Sequence, residues 1–300
     1  MTASELTLKQ LPGALPMLMQ AALTRKKPGP DPEFPQATLL LEDLLCSQQQ
    51  LQRYREVCRF SGASQRLPLT FLHILAFRLQ LKLMLAREFP VAPMGCVHLG
   101  NSITQYRAIG CDEHLRLSCR VADHQRTEKG IEFSFVCDAF AGGDLLWRDS
   151  SRYLSRQKKP ANGAGQKAKA RSASPDSEPV AYDLQQPLAI SRRDARQYAR
   201  VSGDFNPIHL ADTSAKLLGF KGMIIHGMWS KAACLAALET HIEGASYCCE
   251  VEFKTPVFLP AVPQLHYSRV DQGLDFELRS AEDNRPHLVG RVRYLETNSD

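Results

Sequence analysis

The sequence predicts an α+β fold made twice, each copy a long apolar helix wrapped by a curved antiparallel sheet. Three observations predict it. The segment from Ser155 to Pro179 is rich in Ala, Gly, Ser, Lys and Pro and has no hydrophobic periodicity, so it reads as a linker between two stretches of ordinary domain size. Each stretch then carries its elements in the same order, helix, loop, apolar helix and four β-type runs. Finally, a mostly apolar helix must bury nearly all of its surface, which a sheet curved around it provides.

The C-terminal stretch is the clearer one. Ser191-Arg192-Arg193-Asp194 resembles a capping box, and Ala195, Tyr198, Ala199 and Ser202 then fall on one helical face. A loop rich in Gly, Asn and Pro follows. An apolar helix is expected from about Met228 to Glu239, then strands near Tyr247–Thr255, Gln264–Val270, Leu274–Arg279 and Leu288–Leu295.

The N-terminal stretch repeats this plan. Helices are expected around Leu51–Phe60 and Phe71–Ala86, and strands near Val97–Tyr106, Leu115–Val121, Ile131–Phe140 and Leu145–Tyr153. Val97–Val121 can be laid on Ser246–Val270 without a gap, both ending in Arg-Val. The expected boundaries are a first domain over 1–153, a linker over 154–180 and a second domain over 181–300. Laying the two sheets edge to edge would protect edges that each would otherwise expose.

Charge and composition exclude several function classes. The net charge is +5, but six basic residues and no acid lie between Leu154 and Pro175; removing those six leaves the remainder at −1. A near-neutral body with no nucleic-acid motif predicts no nucleic-acid partner. The longest apolar run, Leu67 to Leu85, is broken by Arg78 and Lys82, so no membrane span is expected. Nine cysteines, with no CxxC pair and no leader-like segment before them, predict reduced thiols in a cytoplasm. Cys248 and Cys249, adjacent in a strand, should face opposite ways. No metal-type Cys/His spacing is present, and neither metal nor cofactor is expected.

The chemistry concentrates in Tyr198-Ala-Arg-Val-Ser202-Gly203-Asp204-Phe205-Asn206-Pro207-Ile208-His209. Gly203 permits a sharp exit from the helix, and Pro207 stops it and pushes Asn206 into an extended conformation. A carboxylate, Asp204, and an imidazole, His209, can then turn towards one point. Adding or removing water needs one group to take a proton while another gives one, which suits this pair. Asn206 offers both a donor and an acceptor to orient them. Asp204 alone would be read as a helix-end cap; the whole string shifts the balance. Gly222-Met223-Ile224-Ile225-His226-Gly227-Met228 leads into the apolar helix, where unpaired N–H groups and a glycine let a carbonyl oxygen approach.

Ser202-Gly203-Asp204-Phe205-Asn206-Pro207-Ile208-His209, followed by Ile225-His226-Gly227-Met228, resembles the signature of the MaoC-like, (R)-specific enoyl thioester hydratases. Phe253-Lys254-Thr255-Pro256-Val257-Phe258-Leu259-Pro260 resembles the strand and turn that follow that family's central helix. The resemblance implies a tandem (double) hotdog fold. It also implies interconversion of (R)-3-hydroxyacyl and trans-2-enoyl thioesters of CoA or acyl carrier protein in fatty acid metabolism. Position by position, it implies Asp204 and His209 as the catalytic pair, Asn206 as their support and Gly227 as the backbone donor to the thioester oxygen. Leu235 stands where many members have Ser. Phe205, Met228, Trp229 and Leu235 are candidates to line the substrate site, although for Trp229 and Leu235 core packing is the commoner role.

The N-terminal stretch resembles the degenerate first repeat of double-hotdog dehydratases, through Leu67-Pro68-Leu69-Thr70-Phe71-Leu72-His73-Ile74-Leu75-Ala76-Phe77. Laying Tyr54 on Tyr198 puts Cys58, Arg59 and Phe60 where Ser202, Gly203 and Asp204 stand, so no acid/base pair survives there. Its role would be to complete an intramolecular pseudo-dimer and shape the acyl pocket, with His73 structural. The sequence leaves open a further homodimer, and two other functions: a thioesterase on the same fold and a non-catalytic acyl-thioester-binding protein.

Overall fold

A computed structural model describes residues 4–61, 65–156 and 182–296. The N-terminal half runs β1 (Glu5–Leu8), α1 (Ala14–Leu23), β2 (Thr38–Leu45), α2 (Gln48–Cys58), α3 (Phe71–Leu85), β3 (Cys96–Gln105), β4 (His114–Thr127), β5 (Gly130–Ala141) and β6 (Asp144–Arg156). The C-terminal half runs β7 (Leu184–Pro187), α4 (Arg192–Ser202), α5 (Asp212–Leu217), α6 (Gly227–Ala237), β8 (Tyr247–Phe253), β9 (Gln264–Val270), β10 (Gly273–Arg279) and β11 (Pro286–Tyr294). Short 3-10 turns occupy Pro207–His209 and Glu239–His241.

The helices form where their ends are capped and their faces are apolar. Ser191 and Asp194 make both bonds of the capping box, and Ala195, Tyr198, Ala199 and Ser202 are buried together on α4. α3 has no polar face to speak of: its buried residues run through Phe71–Ala76, then Leu79, Gln80, Leu81, Leu83 and Met84. α6 is buried without interruption from Met228 to Leu235. Helices apolar on nearly every side belong inside, and the sheet is what encloses them.

All eleven strands form one sheet in the order β1-β2-β4-β5-β6-β3-β8-β11-β10-β9-β7. β3 and β8 pair antiparallel from Gly100↔Glu252 to Gln105↔Tyr247 and join the halves at the centre. On either side the order mirrors itself, β6, β5, β4, β2 matching β11, β10, β9, β7. The predicted edge-to-edge junction is therefore present, and each half would otherwise show a long bare edge there.

The gapless overlay of Val97–Val121 on Ser246–Val270 matches the right strands but in the wrong phase. It sets buried Ile103 on exposed Glu252, and buried Leu117 on His266, although Leu265 and Tyr267 are the residues of β9 that point inwards. Side chains alternate along a strand, so a slip of one residue exchanges the two faces. Sliding by one residue restores the match.

The strand expected to end at Tyr153 continues to Arg156, so residues 154–156 belong to the sheet rather than to a linker. The rest of the predicted linker, over 157–180, lies outside the described residues. β1, α1, β2, β7 and α5 were not anticipated as elements. The apolar stretch around Leu15–Leu23 is α1, packed on α3 through Met17 and Ala21 against Leu81. All nine cysteines are free thiols, with Cys249 buried and Cys248 facing the other way, half-exposed. Among the described residues no helix is long and apolar enough to cross a membrane.

Candidate active site

The predicted catalytic loop begins where α4 stops. Gly203 caps the helix at φ 80°, left-handed backbone that a side chain would strain, and a Cβ there would also lie 2.6 Å from the Ala14 methyl. Four local hydrogen bonds then shape the loop. Ser202 Oγ donates to Tyr198 O (2.7 Å) and accepts the Asp204 N–H (3.1 Å). Asp204 Oδ1 accepts the Asn206 N–H (3.2 Å), and Asn206 Oδ1 accepts the Ile208 N–H (3.4 Å) at the start of the Pro207–His209 turn. Asn206 thus supports the pair by fixing the turn between its members.

The turn delivers His209 to the interior. Its Nδ1–H donates to Ile224 O at 2.9 Å, which leaves Nε2 as the free nitrogen. Burial pulls its pKa below the ordinary histidine value, an effect that the Asp204 carboxylate and the Ile224 carbonyl partly offset. The ring is therefore neutral near pH 7, with an unprotonated Nε2 able to take a proton.

His226, which the sequence reading did not single out, completes the cluster. Its ring stacks on His209 with centroids 3.6 Å apart. Its Nε2 donates to the Asp204 main-chain carbonyl at 2.9 Å and lies 3.9 Å from Asp204 Oδ2. Burial and then the neighbouring His209 hold its pKa well below the usual value, so it too is neutral. Its place immediately before Gly227 was the available signal.

Asp204, His209 and His226 offer ligand atoms within 4.8 Å of one another, a spacing that a metal ion could use. The hydrogen bonds argue against that use. A carbonyl oxygen can only accept, so His226 Nε2, the nitrogen beside Asp204, carries its proton and has no lone pair to give. Its Nδ1 is sealed away without a partner.

Gly227 opens α6, and no acceptor among the described residues takes its N–H. The glycine is required by space as well: a Cβ would meet the Phe253 ring at 2.8 Å. Asp204, His209, His226 and Gly227 all border one cavity of about 500 Å³. The N-terminal half supplies much of its wall, including Ile74, Phe77, Leu81 and Met84 from α3 and Leu18 and Ala21 from α1.

Of the predicted site residues, the structure brings Asp204, Asn206, His209, Gly227 and Met228 to the cavity. It does not bring Trp229, Leu235 or Phe205 there. Trp229 is fully buried, donates from Nε1 to Val57 O (2.9 Å) and lies under the Arg59 guanidinium. Leu235 is a core residue of α6, and Phe205 is half-buried outside the cavity wall. For Trp229 a single residue step, about 100° around the helix, decides this: Met228 borders the cavity, while the next residue already reaches α2.

Fold and site together define a class: a tandem pair of sheet-wrapped helices with one carboxylate–imidazole loop beside a helix N-terminus. The MaoC-like domain family matches residues 176–288. The chain is 32% identical over 263 residues to 3-hydroxyacyl-thioester dehydratase X of Mycobacterium tuberculosis, an alignment covering 88% of this chain and 91% of that one. The crystal structure of HtdX from the same organism superposes with a TM-score of 0.73 at 31% identity, over 86% of this chain and 100% of that one. A second M. tuberculosis protein, described as having a double hotdog fold, shares the architecture at a TM-score of 0.52 and 13% identity, over 84% of this chain and 93% of that one. This chain belongs to the MaoC-like dehydratase family and has the double hotdog fold.

Proposed function

We propose that the protein is a hydro-lyase interconverting (R)-3-hydroxyacyl and trans-2-enoyl thioesters in fatty acid metabolism, with Asp204 and His209 as its acid/base pair. One observation carries this reading: a carboxylate and a neutral imidazole open onto one cavity beside the unpaired Gly227 N–H. The activity named for its M. tuberculosis relative supports it.

In the hydration direction, a water held between Asp204 and His209 Nε2 gives its proton to the pair as its oxygen bonds to C3. The electrons of the C2–C3 double bond move towards the thioester oxygen, where the Gly227 N–H and the positive end of α6 stabilise the developing charge. A proton from the pair then closes the enolate at C2. Dehydration runs the same steps backwards. The apolar wall from α1 and α3 takes the acyl chain, so the N-terminal half contributes to binding and not to proton transfer. Arg156 and Lys254, exposed on the cavity rim, place positive charge where the phosphate of a CoA or acyl-carrier arm would approach.

The test is direct. Purified protein with crotonyl-CoA and longer 2-enoyl-CoAs should consume the enoyl absorbance and yield the (R)-3-hydroxy product. Release of free thiol without hydration would instead indicate a thioesterase, and binding without turnover a carrier protein.

A further inference from the structure

The cavity wall holds a second histidine–carboxylate arrangement that the proposed reaction does not use. His73, in the first turn of α3, is buried with its Nδ1 2.5 Å from Asp149 Oδ2. Asp149 is fully buried and fully engaged, since Asn101 Nδ2 and Ser151 Oγ both donate to its Oδ1 at 2.8 Å. Behind it Lys231, fully buried on α6, donates to Asn101 Oδ1 (2.5 Å) and Cys249 O (2.9 Å).

With Nδ1 committed to Asp149, Nε2 is the atom left over. It makes no hydrogen bond to a described residue, is not among the sealed unpartnered nitrogens, and belongs to a residue that borders the cavity. His73 lies on the same face of α3 as Phe77 and Leu81, which follow at four-residue steps and line the same cavity. An apolar stripe therefore begins with an imidazole whose tautomer a carboxylate fixes. Stability is a weak reason for this, because a buried ionic network often does no better than apolar residues of similar volume.

We propose that His73 is a second substrate contact, its Nε2 accepting a hydrogen bond from a polar group of the bound thioester remote from the reacting carbons. That group is an amide N–H of a pantetheine arm or a hydroxyl on the acyl chain. The proposal rests on the reading of Gly227 as the thioester end. Two ring contacts separate His73 from that end: His98 stacks 6.1 Å from His73, and 5.0 Å from the Phe253 ring that covers Gly227. Such spacing removes His73 from C2 and C3 while leaving it on the path of an extended ligand.

The full-length protein, with nitrogen-15-labelled histidine, would be titrated with decanoyl-CoA and with 10-hydroxydecanoyl-CoA, saturated thioesters that cannot dehydrate or add water. The His73 Nε2 resonance, assigned by its loss in His73→Phe, is expected to move as ligand saturates. His73→Phe and Asp149→Asn should each weaken binding about fivefold, the scale of one net hydrogen bond. A shift with both ligands assigns the contact to the arm; a shift only with the hydroxylated ligand assigns it to the chain. Binding of both ligands with the resonance unmoved, and with affinity unchanged in folded Asp149→Asn, overturns this inference alone. If calorimetry finds that neither ligand binds, the thioester reading of the whole cavity fails with it.

Discussion

The two halves end their first long helix in the same way and do opposite things with the result. α2 and α4 both stop at a left-handed residue, Arg59 at φ 69° and Gly203 at φ 80°, and Tyr54 and Tyr198 lie 6.2 Å apart across the junction. After Gly203 the chain turns Asp204 and His209 into the cavity. After Arg59 it does not, and the guanidinium reaches across instead, donating to Ala189 O (2.7 Å), stacking over Trp229 and lying 3.5 Å from Asp194. The shared frame rests on buried apolar positions, whereas the positions just past the helix ends differ: a carboxylate and an imidazole face the cavity on one side, and an arginine makes contacts across the junction on the other.

The sharpest way to break this comparison is to remove the chemistry from the half that has it. Asp204→Asn should lower turnover at least 10²-fold, the usual contribution of an acid/base group, while the melting temperature stays within a degree or two because the side chain is only partly buried. A loss below about tenfold in 2-enoyl-CoA hydration would show that the pair is not the catalytic centre.

A smaller loss is expected at the helix start. Gly227→Ala drives a methyl into Phe253 and displaces the N–H from the thioester oxygen, so kcat should fall by roughly 10–10²-fold. The double variant with Phe253→Leu separates two roles. If it recovers full activity, the glycine serves only to make room for the ring. If the deficit persists, the position of the amide itself matters.

The N-terminal half predicts the reverse pattern, a stability effect with turnover intact. Arg59→Ala removes the bond to Ala189 and the cover over Trp229 while keeping a side chain in left-handed backbone, and should cost about 1–3 kcal/mol. Arg59→Gly loses the same contacts but relieves the backbone, by about 1 kcal/mol, and should melt higher than the alanine variant. Thermal melts beside initial rates would check both. A drop in kcat matching that of Gly227→Ala would mean that the halves are not divided as described.

How far the sequence led follows the same division. Periodicity and capping located the long helices and nearly every strand of the repeat, because a buried helix or strand must write its packing into residue type. The candidate loop was legible because its parts are close in sequence: Gly203, Asp204, Asn206, Pro207 and His209 make one another's geometry. The elements before Gln48 were not legible, since β1 is held by its parallel pairing with β2 and α1 by docking on α3, neither of them a local signal. The orientation of Trp229 depended on α2, about 170 residues away in the chain, and so could not be read from its neighbours. The pairing of His73 with Asp149 was not legible for the same reason, since the two meet only through the sheet.

The finest test of the comparison is acid. In the proposed reaction His209 must be neutral to act, and burial lowers its pKa, so kcat/KM should stay flat as the pH falls through about 6.5 and drop only below it. Stability follows a different course. The unfolded chain protonates its histidines near pH 6.5, while the folded chain resists protonation of His209 and His226 in one half and of His98, pushed down to about 3, in the other. The unfolded state therefore binds more protons, and the stabilisation that these rings allow is complete above about pH 6.5 and declines as the pH falls towards their folded values. Each such ring adds a slope of up to about 1.4 kcal/mol per pH unit in that window. Melting temperature should thus start to fall at a higher pH than kcat/KM does. His98→Phe should flatten that decline between pH 6 and 4, and an unchanged slope would mean that His98 is hydrated and titrates normally in the folded protein.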